Sequence, residues 1–231
     1  MNNQNNYYRV SASDVSARSE FIKKCYLNLA GAFAVFVCVE ALLMTWQPAI
    51  ELSYRMISGN NWLIVLLAFM GVSWLANSWA LSGGSTGKQY AGLYLYVFAE
   101  AIIFMPLLLL ANQYAPDAIP QAAILTFAMS AGITIYAFVS KKDFSFIGGF
   151  LVIASFVALG LIVCSMLFGF GLGLWFSGAM IVFASFALLY QTSAIIHQYR
   201  NDQYVAAALG LFASIALLFW YILQFLISRR D

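Results

Sequence analysis

Charge is what this sequence has least of. Only 9% of its 231 residues are Asp, Glu, Lys or Arg, against about 25% in soluble domains. That deficit excludes an ordinary water-soluble globule, and the abundance of apolar residues excludes a disordered chain. The few charges nearly cancel, at a formal +2, too weak and too dispersed to serve nucleic acid. Histidine occurs once, as His197, and a lone imidazole without thiolate or acidic neighbours makes no zinc site. Cysteine occurs three times, as Cys25, Cys38 and Cys164. This odd set has no paired spacing, and Cys38 and Cys164 lie in apolar runs where cysteine acts as a small hydrophobe. Serine and tyrosine hydroxyls are plentiful, yet no acid–base set accompanies them, so the expectation is a chain that is not an enzyme and carries no resident cofactor or metal.

Two glycine motifs fail on their own terms. SGGSTGKQ, Ser82 to Gln89, has serine where a phosphate loop needs its first glycine and glutamine where it needs Ser or Thr. GFGLGL, Gly169 to Leu174, ends on leucine where the dinucleotide fingerprint requires glycine, and no strand precedes it.

What is present instead is apolar. Hydrophobic residues make up 63% of the chain, and the mean hydropathy is +0.85. A membrane helix needs about 20 apolar residues, and seven runs qualify: Leu27 to Met44, Trp62 to Leu81, Ala91 to Ala111, Gln121 to Val139, Ile147 to Phe168, Leu174 to Ile196 and Tyr204 to Ile227. The runs are continuous rather than alternating, so they read as helices and not as barrel strands. The expected organisation is a polar tail over residues 1–26, a seven-helix membrane domain over 27–227 and a short tail over 228–231. The fold class is an all-α integral membrane protein whose environment is lipid. The amino end lacks the apolar core of a cleavable signal, so the first run is expected to act as an uncleaved anchor.

Orientation follows the basic residues. With the amino end in the cytoplasm, eight of the eleven lie inside, namely Arg9, Arg18, Lys23, Lys24, Lys88, Lys141, Lys142 and Arg200, while Arg55, Arg229 and Arg230 lie outside. The terminal arginine pair is the dissent, and a re-entrant last helix would return it to the inside. Trp46, Trp62 and Trp175 fall at outer boundaries and Trp79 at an inner one, as interfacial aromatics do.

Two acids sit inside predicted spans: Glu100 near the middle of the third, and Glu40 nearer the outer end of the first. An ionised side chain at mid-membrane costs about 2.5–3.5 kcal/mol on insertion scales, so such groups turn toward the bundle interior or water. Pro106, six residues after Glu100, cannot donate to the Ile102 carbonyl and leaves that acceptor open. No lysine or arginine lies within any span to neutralise the acids. The site is therefore wet, or the acids are protonated, or a bound cation supplies the charge. Glu100 and Glu40 are candidates for an ion or proton path. The alternative is a protonated carboxyl hydrogen-bonded to a neighbouring helix. On the last span Ala206, Gly210 and Ser214 form a small-residue stripe that lets another helix approach closely. Internal packing is the reading favoured over a dimer face. His197 reads as a polar residue at a helix end.

Two segments resemble the Bax-inhibitor (transmembrane Bax-inhibitor-motif) family, and more closely its bacterial YccA-type branch. They are KKDFSFIGG, Lys141 to Gly149, and LLYQTSAIIH, Leu188 to His197, which a polar turn joins to DQYVAAALGLFASIALLF, Asp202 to Phe219. With the seven spans, the basic tail and the terminal SRRD, the similarity covers nearly everything after Phe21. The resemblance implies six helices packed around the last, in a bacterial inner (cytoplasmic) membrane. It implies two activities: a pH-sensitive calcium leak gated by an acidic pair on the sixth and seventh helices, and, in the YccA-type branch, modulation of membrane-protein quality control through the membrane AAA protease FtsH. Protease modulation is the leading expectation and a calcium or cation leak the alternative. The family's acids fall here on Gln191, in Tyr190-Gln191-Thr192-Ser193, and on Ser214, in Leu211-Phe212-Ala213-Ser214. Neither side chain ionises at physiological pH, although the two are able to hydrogen-bond to each other. The acid-pair gate is absent as such. Gln191 and Ser214 are expected to be polar lining of an ion path, with calcium as the transported ion rather than a cofactor.

Overall fold

The computed structural model describes residues 15–59, 61–82, 85–140 and 142–229. The tail up to residue 14, with Arg9, lies outside the described residues, as do Asn60, Gly83, Gly84, Lys141, Arg230 and residue 231. Eight helices follow in order: α1 (Val15–Leu43), α2 (Gln47–Met56), α3 (Asn61–Ala80), α4 (Thr86–Tyr114), α5 (Ala118–Ser140), α6 (Ile147–Phe168), α7 (Gly173–His197) and α8 (Tyr204–Ser228). All but α2 are long and apolar enough to cross a membrane, and no strand occurs among the described residues. The seven apolar runs are thus seven helices, with ends shifted by a few residues.

The largest shift is at α1, which begins twelve residues before the apolar run. Helix α1 has 29 residues, about 43 Å at 1.5 Å per residue, so its first turns project beyond a ~30 Å hydrocarbon core. Those turns carry Glu20 and Lys24, ion-paired at 2.7 Å on the exposed face. They also bury Phe21 and Cys25, so half of the expected tail belongs to the fold. Lys24 lies 5.6 Å from the ring centre of Tyr204, pinning the base of α1 to the start of α8.

Helix α2 is an addition to the expected plan. Its ten residues are too short to span and not apolar enough to register as a run. Pro48 stands in the first turn, where a missing N–H costs nothing. Ala49, Ser53 and Met56 recur at helical spacing and turn inward, while Glu51, Leu52, Tyr54 and Arg55 are exposed. This pattern lays the helix along the bundle end rather than through it.

Helix α8 is the core. It packs against α1, α3, α4, α5 and α7, and its Phe212, Leu218 and Leu223 are fully buried. Phe212 meets Phe33 at 4.8 Å, Phe36 at 5.7 Å and Tyr96 at 6.2 Å between ring centres. Further along, Phe104 of α4 packs on Trp220 at 5.0 Å and Phe219 at 5.9 Å. Trp62 stacks on Trp220 and is half-buried, whereas Trp46 and Trp175 are exposed as boundary aromatics should be. Helix α6 is peripheral: it packs chiefly on α7 and buries only Ile147 and Ala158. Ala158 clusters with Met180 of α7 and Tyr221 of α8 and so touches the centre. The glycine break between α6 and α7 turns on left-handed backbone at Gly169 (φ 71°) and Gly173 (φ 63°), where a Cβ would be strained.

Candidate functional site

The two intramembrane acids share one place. Glu40 on α1 and Glu100 on α4 are 6% and 5% exposed, and Glu40 lies within reach of the Glu100 charge. Both oxygens of Glu40 and Oε2 of Glu100 have no hydrogen-bond partner among the described residues. Around them is a cage of rings. Phe36 is one turn before Glu40, Tyr96 one turn before Glu100, and Phe104 one turn after it. Phe36 and Phe104 pack edge to face at 5.2 Å. The Tyr96 hydroxyl lies against the Glu100 carboxyl. Among the described residues no lysine or arginine ion-pairs with either acid. Two carboxylates at low dielectric repel, so a shared proton or a bound cation must make up the charge. Geometrically the pair offers four carboxylate oxygens and one phenol, a hard oxygen set of the kind calcium takes.

Gln191 and Ser214 do not join this site, nor each other. The Ser214 hydroxyl donates to the Gly210 carbonyl of its own helix at 2.9 Å. The Gln191 amide donates instead to the Tyr199 hydroxyl at 2.7 Å. Gln191 and Ser214, though able to hydrogen-bond to each other, thus make two separate bonds, because serine's short side chain finds an acceptor one turn back. Gln191 rests against Gly210: a Cβ built on that glycine would stand 2.0 Å from the amide nitrogen. The small-residue stripe accordingly packs inside the bundle, with Ala206 buried and Gly210 admitting a side chain from α7. Gln191, Tyr190, Gln198, Tyr199 and Gln203 line a polar crevice of about 260 Å³ at the α7–α8 turn. Burial pushes the Tyr199 hydroxyl up to about 12, so it stays protonated there at any physiological pH.

The same turn is stapled to the loop before α6. The Phe144 N–H donates to Ser193 Oγ at 2.9 Å, and the Gln198 amide donates to the Ser145 hydroxyl. Ser145 in turn donates its hydroxyl and, at 2.9 Å, its N–H to Asp143. These two donors hold the Asp143 carboxyl below its usual range. His197 closes α7 as expected of a polar end residue, its Nδ1 3.0 Å from the Ser193 carbonyl oxygen.

Along α8, then, a neutral polar crevice at Gly210 and the acid pair of α1 and α4 flank the buried Phe212. The model of the family "Inhibitor of apoptosis-promoting Bax1" matches residues 18–231, nearly the whole of this helical bundle. The chain belongs to the Bax-inhibitor family. Similar members include an uncharacterized Pseudomonas aeruginosa protein, 29% identical over 85% of this chain and 86% of its own. The Golgi anti-apoptotic protein of vaccinia virus is 29% identical over 94% of this chain and 89% of its own. Bax inhibitor 1 of Schizosaccharomyces pombe is 25% identical over 91% and 77%. As a Bax-inhibitor family member with seven apolar helices, the chain is a multi-pass membrane protein.

Neither Tyr96 nor Tyr199 stands out in the sequence as a site residue. The Tyr96–Glu100 spacing of four residues was available as a signal, since such pairs face each other on a helix. Nothing in the sequence pairs Tyr199 with Gln191, because the contact depends on how the polar turn folds back.

Proposed function

We propose that the chain is a cation or proton leak of the membrane whose working site is the Glu40–Glu100 pair, with a neutral rather than acidic closure at Gln191. The observation that carries this reading is the pair itself: two buried carboxyls on neighbouring helices, three of whose four oxygens find no partner among the described residues. A structural acid is expected to find donors for both of its oxygens; Tyr96 serves Glu100 on one side only, and Glu40 has none, so the pair awaits a proton or an ion. Because Gln191 and Ser214 do not ionise, the pH dependence of the leak follows the outer pair and not the inner crevice. Calcium flux into proteoliposomes tests it. Glu100→Gln is expected to lower flux by about tenfold or more, since losing one charged contact is worth about 1.5–3 kcal/mol. Glu40→Gln should do the same, and the double variant should be little worse than either single one, as for groups acting as a unit. Wild-type flux no greater than that of empty liposomes, at every pH from acidic to neutral, would sink the reading.

A second reading is modulation of membrane-protein quality control through an FtsH-type protease in a bacterial inner membrane, with the amino end cytoplasmic. Its support is the YccA-like carboxyl half together with a polar tail that a protease could engage. Removing residues 1–14 is expected to lengthen the protein's lifetime in cells and to abolish co-purification of the protease. Equal lifetimes with and without the tail would refute it.

A further inference from the structure

The short helix α2 does not seal against the bundle. Between it, the end of α1 and the flank of α4 lies a groove of about 450 Å³, within the ~300–1,000 Å³ of typical ligand sites. Its walls are mostly apolar: Leu43, Ala49 and Met56 on the inner side, Ile102 and Met105 on α4. Its outer lip is built from Trp46, Leu52 and Ile102, which are 59%, 50% and 46% exposed. In a chain that spans a bilayer, such a lip opens sideways into hydrocarbon, and Trp46 marks the interfacial level. Its lining also carries Glu51 and Arg55, one helical turn apart and both exposed. Neither forms an ion pair with another described residue.

We propose that this groove holds one acyl chain of a zwitterionic glycerophospholipid from the leaflet in which α2 lies. The apolar walls take the chain, Arg55 takes the phosphate, and Glu51 takes the ammonium of the headgroup. Charge complementarity selects this occupant. An anionic lipid would meet Arg55 favourably but Glu51 unfavourably, whereas an adjacent phosphate and ammonium match both. A guanidinium also suits phosphate through its planar fork of donors. The groove is independent of the conduction reading, since its test measures lipid retention and not flux.

The protein is reconstituted in bilayers of equal parts phosphatidylethanolamine and phosphatidylglycerol, released, and its retained lipids counted by native mass spectrometry. Wild type is expected to keep one phosphatidylethanolamine. Leu52→Trp, which fills the groove from its exposed lip, should lower that occupancy about tenfold. Ala49→Phe, which fills it from the inner wall, should do likewise, provided its thermal unfolding matches wild type. Glu51→Gln should keep a lipid but lose the preference for phosphatidylethanolamine over phosphatidylglycerol, and Arg55→Gln should lower retention of both. Undiminished retention in a folded Leu52→Trp would overturn the proposal. So would equal retention of the two lipids by wild type, or a protein dimer without lipid in place of the lipid-bound monomer.

Discussion

Gly92→Ala is expected to destabilise the bundle more than any other single added methyl group. A Cβ at Gly92 would stand 2.5 Å from the Ala76 carbonyl oxygen and 2.7 Å from the Ala80 nitrogen. Both are backbone atoms of α3, so no rotamer change relieves the collision, and the two helices must separate. Ala76 and Ala80 are themselves fully buried, one turn apart, against α4. This is a small-residue contact of the kind membrane helices use for close approach. Overpacking of a rigid interior costs about 1–3 kcal/mol and occasionally more, and a backbone clash belongs at the upper end. The measurement is the thermal midpoint in detergent, with Gly71→Ala as control, because a Cβ at Gly71, on the facing helix α3, meets nothing within 4 Å. A midpoint for Gly92→Ala equal to that of Gly71→Ala would contradict the packing described.

Gly210→Ala is expected to act differently, through a side chain. The new Cβ would overlap the Gln191 amide, at 2.0 Å from its nitrogen and 2.4 Å from its Cδ. Gln191 can swing away, but only by giving up its hydrogen bond to Tyr199. The cost is about 1 kcal/mol for that bond plus the strain of displacement, about 2 kcal/mol in all. Truncating the amide removes the collision, so Gln191→Ala combined with Gly210→Ala should be more stable than Gly210→Ala alone. A coupling of about 1–2 kcal/mol between the two sites is therefore expected from a double-mutant cycle. If unfolding measurements return purely additive values, Gln191 does not rest on Gly210. Tyr199→Phe offers an independent check, since it deletes the acceptor without touching the glycine.

Most of the architecture was legible because hydrocarbon imposes one simple rule on the chain. Each run from Leu27 to Ile227 had to satisfy its own backbone, and it did so as a helix at nearly the expected place. The helical start at Val15 was not legible. Residues 15–26 are polar enough to live in water, and only the burial of Phe21 and Cys25 against neighbours recruits them. Helix α2 escaped for a related reason: it is amphipathic and short, a pattern that neither span length nor mean hydropathy registers. At the candidate site the sequence named both acids but could not place them together, because pairing depends on how α1 and α4 rotate against α8. The aromatic residues spaced one turn from each acid fix that rotation through Phe212. Ser214 and Gln191 are able to bond to each other, and the sequence does not tell that the acceptors at Gly210 and Tyr199 take them instead.

Helix α6 is the most apolar of the seven spanning helices and the least enclosed by protein. Its place is set less by its neighbours than by its own preference for lipid over water. Partition into the bilayer, rather than side-chain packing, is what holds such a segment once the Gly169–Gly173 hairpin has delivered it beside α7. A charge introduced on its open face, for instance at Val157, would therefore be felt during insertion and not as loosened tertiary structure. The error would surface as a segment left outside the membrane by the translocation machinery, while the other six helices could still find one another.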